Sequence, residues 1–131
     1  MKRPPILTFI AIVQLFFASA GFLVAITFAF EGFPPWFRAW CFIVSFMHLI
    51  SAIQILRLRW SGPVIGLSAL IGAFIVGQFL LGPQTTATPV KTVVALVIMG
   101  LYAIAIYQNR AVFAPNNSFK PSPLRGPGKD S

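Results

Sequence analysis

The sequence predicts an all-α integral membrane protein: four transmembrane helices in an antiparallel up-down bundle, both termini cytoplasmic, then a disordered basic C-terminal tail. Three observations carry that prediction. The 131 residues are 57% apolar and only 9% charged, against roughly 25% charged in soluble domains. Such a chain has too few polar groups to cover a water-facing surface. The apolar residues fall into four runs, each close to the roughly 20 helical residues that cross a hydrocarbon core. The basic residues sit almost entirely between alternate runs, where they set orientation.

The first span is read as 6–30. Lys2 and Arg3 precede it, and Ile6 to Phe30 contains no charge. A cleavable signal peptide is the competing reading, with Ala18-Ser19-Ala20 as its cleavage site. The apolar run continues through Phe30, well past that site, which argues against cleavage. Gly32, Pro34 and Pro35 break the helix, and Phe33, Trp36 and Phe37 suit an interfacial aromatic belt. The second span is read as 39–56. Arg57-Leu58-Arg59-Trp60-Ser61-Gly62 then forms the hinge, and Pro63 suits the first turn of the next helix, where its missing N–H has no partner to lose. The third span is read as 63–81 and the fourth as 90–107, separated by a polar loop rich in glycine, proline and threonine. The transmembrane domain is bounded at 1–110. Residues 115–131 hold four prolines and few apolar side chains, and 111–131 are read as a disordered cytoplasmic tail.

With the amino terminus inside, the inner side carries Lys2, Arg3, Arg57, Arg59, Arg110, Lys120, Arg125 and Lys129, and the outer side only Arg38 and Lys91. This asymmetry is the positive-inside pattern, and Lys2, Arg3, Arg57, Arg59 and Arg110 are its topology-determining members. The same charges exclude little else: the net charge of +8 marks membrane flanks and not a nucleic-acid surface. The expected surroundings are a lipid bilayer, in the bacterial inner membrane.

On a helical wheel, small residues gather on single faces. Ala11, Ala18, Gly21, Ala25 and Ala29 share one in the first helix. Gly62, Gly66, Ala69, Ala73 and Gly77 share one in the third. Small side chains let helix backbones approach closely in lipid, where packing drives association. These stripes read as internal packing seams, with a dimer interface as the competing role.

Two polar residues lie on such faces, Gln14 in the first helix and His48 in the second. At 1.5 Å per residue both lie about 12–13 Å from the inner boundary, so antiparallel neighbours would bring them level. His48 is the only side chain deep in these runs that changes charge near neutral pH, and intramembrane ionisable groups mark proton or substrate paths. The alternative is a neutral histidine hydrogen-bonded to Gln14, Ser45 or Ser51, acting as interhelical glue. The only acids are Glu31 and Asp130, neither at that depth, so the glue reading is favoured. A metal site is not expected, since Cys41 and His48 are two turns, or about 10 Å, apart. Gln78 either lines a cavity or bonds a neighbouring helix, and Gln54 reaches the interface. Asn116-Asn117-Ser118 matches a glycosylation acceptor that would be silent on the cytoplasmic side.

In size and helix count the chain resembles the small multidrug-resistance transporters, four-helix proteins that dimerise. Their defining carboxylate in the first helix has no counterpart: the equivalent depth holds Gln14. Proton-coupled export of cations would therefore lack its charge carrier here. No cofactor is expected, and the supply of nucleophiles, bases and metal ligands is too thin for an enzyme. The expectation is a non-enzymatic membrane component or accessory subunit of a larger membrane complex. The alternative is a small-solute or proton-linked transporter acting as a homo-oligomer.

Overall fold

The computed structural model describes residues 2–27, 34–81 and 88–113. Helix α1 spans Pro5–Thr27, α2 Pro35–Leu56, α3 Ser61–Leu81 and α4 Thr88–Gln108, and a short 3-10 turn follows at Arg110–Phe113. The four helices have 23, 22, 21 and 21 residues, about 31–35 Å each. All four are long and apolar enough to cross a membrane.

Proline marks each helix start. Pro5, Pro35, Pro63 and Pro89 all lie within the first three residues of their helices. The first backbone N–H groups of a helix have no intrahelical partner, so a proline there forfeits nothing. For this reason α2 begins at Pro35 and not at 39, which places Trp36, Phe37 and Arg38 in its first turn. Likewise α3 begins at Ser61 and α4 at Thr88, two residues before the boundaries expected from hydropathy. Residues 28–33 and 82–87, which hold most of the two expected outer loops, and with them Ala29, lie outside the described residues.

The α2–α3 turn is tightly specified. Leu58 N–H bonds Ile55 O and Arg59 N–H bonds Gln54 O, both at 2.9 Å. That paired closure needs a left-handed residue between helix end and exit, usually glycine; here Leu58 takes it, with φ 54°. Its side chain packs on the buried cluster beneath it.

Helices α1 and α2 share the largest interface, α2 and α3 the next, and α4 packs more sparsely on α3 and α1. The α1–α2 seam closes on small groups: Ala11, Ala18 and Ala25 are buried, and Gly21 lies against the Ser45 hydroxyl. At the α2–α3 crossing, a methyl on Gly62 would meet Ile55 N at 2.7 Å and Gln54 C at 3.0 Å. Backbone cannot move aside, so only glycine fits there. Further along, the Trp40 ring covers Gly72.

The largest buried cluster sits at the Leu58 end, formed by Leu7, Ile10, Ala52, Ile55, Tyr102, Ile106 and Phe113. Phe113 is 2% exposed and meets the Trp60 ring edge-on at 5.9 Å. The folded unit therefore extends past the expected boundary at 110, because the 3-10 turn folds Val112 and Phe113 back onto this cluster. The remaining tail, with Lys120, Arg125, Lys129 and the Asn116 acceptor motif, lies outside the described residues.

Candidate functional site

The interior of an apolar helix assembly makes any buried polar atom conspicuous, because nothing in hydrocarbon satisfies it. Among the described residues four such side chains are buried: Gln14, Ser45, His48 and Ser51. Gln14 projects from α1, and the other three share one face of α2. His48 Nδ1 donates to Gln14 Oε1, with His48 4% and Gln14 2% exposed. The Phe17 ring lies 5.6 Å from the imidazole, inclined at 35°, and shields that contact from lipid.

The two serines take different partners. Ser45 bonds back to Cys41 O within α2, at 2.7 Å. Ser51 instead crosses to α3 and donates to Gly62 O at 2.7 Å. From α4, the Tyr102 hydroxyl donates to Pro63 O at 3.3 Å and stands within hydrogen-bonding reach of Ser51 and Gln14. Gln14, Ser51 and Tyr102 converge over Gly66. A methyl group there would meet Gln14 Nε2 at 2.8 Å, Ser51 Oγ at 2.5 Å and the Tyr102 hydroxyl. All four helices thus meet around one glycine through polar contacts, each worth about 0.6–2 kcal/mol in a membrane.

Among the residues singled out in the sequence, Gln14 and His48 are in contact, and Ala11, Ala18, Gly21, Ala25, Gly62, Gly66 and Ala69 lie in helix seams. Ala73 and Gly77 do not. Ala73 is exposed, and among the described residues nothing stands within 4 Å of a methyl on Gly77. Gln78 bonds a neighbour, its Nε2 donating to Thr92 Oγ1 at 3.0 Å. Gln54, in the last turn of α2, keeps a buried Oε1 with no hydrogen-bond partner among the described residues. Among the described residues no three His, Cys, Asp or Glu side chains cluster closely enough for a metal ion.

Tyr102 is the member that reading the sequence misses, although a signal for it exists. It lies six residues from the end of α4 at Gln108, about 9 Å along the helix from that end. Side chains on a helix lean toward its N-terminus, which carries the hydroxyl further from the Gln108 end, toward the depth of Gln14.

Two cavities flank the cluster. One, of about 470 Å³, lies between α1 and α4 and includes Gln14 and Tyr102 in its wall. The other, of about 330 Å³, is bordered by Gly21, Ser45, His48, Ala73 and Gly77. Phe17 lines both. The second cavity is where the open part of the α3 seam faces. The chain matches no protein-family model, no curated protein and no solved structure.

Proposed function

We propose that the chain is a non-enzymatic component of a cell membrane, the bacterial inner membrane, acting as an accessory subunit of a larger membrane complex. In this reading the helices form an antiparallel up-down bundle with both termini cytoplasmic. Two sets of contacts support the antiparallel order: Arg3 with Leu56, Gln14 with His48 and Ala25 with Arg38 along α1–α2, and Tyr102 with Pro63 and Gln78 with Thr92 along α3–α4. The basic asymmetry supports the orientation. The single observation that carries the functional reading is how the interior polar groups are spent. Gln14, His48, Ser51 and Tyr102 bond one another or backbone carbonyls, which makes them fasteners between helices.

The test is purification of the tagged full-length chain from its own membranes in mild detergent. The expected result is one heterologous partner at fixed stoichiometry, whose abundance falls when this chain is deleted. A homodimer with no other subunit, and no change in any membrane protein on deletion, would overturn it.

A small-solute or proton-linked transporter acting as a homo-oligomer is the second reading. It is favoured by one arrangement: Gln14 borders one cavity, His48 the other, and Phe17 both. The polar pair then stands where a path between them would run. A pH-dependent flux in proteoliposomes that His48→Ala abolishes, with thermal stability unchanged, would select this reading over the first.

A further inference from the structure

The contact between Gln14 and His48 uses one nitrogen of the imidazole and leaves the other. Nδ1 donates to Gln14 Oε1. The amide is oriented by its other end, because Gln14 Nε2 lies with the Ser51 and Tyr102 hydroxyls around Gly66. With the ring proton on Nδ1, Nε2 of the neutral imidazole is a hydrogen-bond acceptor. Among the described residues it has no hydrogen-bond partner. Nor is it sealed in: Gln54 Oε1 is the single fully enclosed side-chain N or O atom without a partner among those residues. His48 is only 4% exposed, so this edge of the ring opens on a confined space. The space that His48 borders is the cavity of about 330 Å³ between α1, α2 and α3.

The rest of the wall narrows the chemistry of an occupant. Ser45 is the other buried polar side chain described there. It spends its hydroxyl proton on Cys41 O and so offers lone pairs as well. Both buried polar groups therefore accept, and neither has a proton to give. Phe17, Phe37 and Trp40 supply aromatic surface, which favours another ring. A dry cavity of about 150 Å³ takes one benzene, so about 330 Å³ takes one substituted ring. On α2 the lining runs from Phe37 to His48, a rise of about 16 Å, which leaves room for an apolar substituent beyond a ring seated at the imidazole. Val24 and Ala73, also on the wall, are exposed, which gives entry from the bilayer.

We propose that this cavity binds a small substituted phenol, whose O–H donates to His48 Nε2 while its ring packs on Phe17. A mostly apolar pocket with one placed polar group is the usual construction of a small-molecule site. Binding takes nothing from the fastening of the helices. Nδ1 stays on Gln14, and a second hydrogen bond at Nε2 polarises the first in the strengthening direction. The proposal does not depend on the accessory-subunit reading.

The chain holds one histidine, so a nitrogen-15 label on imidazole gives one pair of ring resonances that needs no assignment. The full chain, labelled in this way in nanodiscs, is titrated with para-propylphenol and with para-propylanisole, the same body with its donor methylated. The free protein should show a protonated Nδ1 and a bare Nε2. The phenol should move the Nε2 resonance upfield in a saturable way and leave Nδ1 protonated. The anisole, measured by competition, should bind about three- to tenfold more weakly, the loss of one hydrogen bond. Gly77→Phe puts a ring into the cavity where a methyl meets nothing among the described residues, and should abolish the shift. An Nδ1 resonance at its parental position shows that this variant keeps the Gln14 contact; Ala73→Phe, on the exposed part of the wall, serves if it does not. Four results would overturn the proposal: a proton on Nε2 in the free protein, a shift that rises linearly with the phenol content of the bilayer, an equal response to the anisole, or binding that survives the blocking variant with the Gln14 contact intact.

Discussion

Arg38, in the first turn of α2, donates its Nε–H to the carbonyl of Ala25 in the last turn of α1, over 2.7 Å. At the other end of the same pair, Arg3 donates to the carbonyl of Leu56, the final residue of α2. Each helix of the pair therefore has its C-terminus capped by an arginine that belongs to, or precedes, the start of the other. The last carbonyls of a helix lack intrahelical partners and carry partial negative charge, so the two contacts pin both ends of the α1–α2 seam. Arg38→Gln should lower thermal stability in detergent by about 0.5–2 kcal/mol, and Arg38→Lys by less, since the cation is kept. An unchanged melting temperature in Arg38→Gln would show that the cap contributes nothing.

The Gln14–His48 contact makes a quantitative prediction of its own. Gln14→Ala and His48→Ala should each cost about 0.6–2 kcal/mol, and the double variant less than their sum. Reversible unfolding in mixed micelles measures the cycle. Strict additivity would mean that the two side chains act separately.

Gly66 and Gly77 lie on the same stripe of α3 and should respond oppositely to one methyl group. Gly66→Ala drives a carbon into Gln14 Nε2 and Ser51 Oγ, and overpacking of this kind costs about 1–3 kcal/mol. Gly77→Ala meets nothing within 4 Å among the described residues, and gains up to about 1 kcal/mol from the better helix former. Equal melting shifts in the two variants would contradict the convergence of polar groups over Gly66.

Leu58 carries a left-handed backbone, φ 54°, at a cost of about 1–2 kcal/mol. Leu58→Gly removes that cost and gives up partial burial, so stability should stay within about 1 kcal/mol of the parent. Leu58→Val adds a β-branched side chain to a conformation it resists, and should be clearly destabilising. If valine were tolerated as well as glycine, the turn would have rearranged.

Orientation is tested by reporter fusions. Fusions at residues 57–62 and after Tyr107 should report the cytoplasm, and one within 84–88 the opposite side. Neutralising Arg57 and Arg59 together should produce a mixed population, because the hinge would then carry no charge.

How far the sequence speaks depends on the kind of property asked of it. Span number and length are one-dimensional: a run of apolar residues needs no knowledge of its neighbours to be too hydrophobic for water and long enough for a bilayer. The proline positions mark the helix starts in the same local way, though hydropathy alone placed the α2 start four residues late. Depth is also a count along the chain, which is why the sequence alone sets Gln14 and His48 level. Rotation about each helix axis is another matter. These helices are apolar on every side, and in lipid an inward face is no more hydrophobic than an outward one, so no periodicity says which way α3 or α4 turns. Only the tertiary structure decided that Ser51, and not Ser45, crosses to α3, and that Tyr102 joins Gln14 over Gly66. It also decided that Ala73 and Gly77 border a cavity while Gly62 and Gly66, on the same stripe, admit no side chain. Those outcomes rest on close packing between particular surfaces, a property that no single helix possesses.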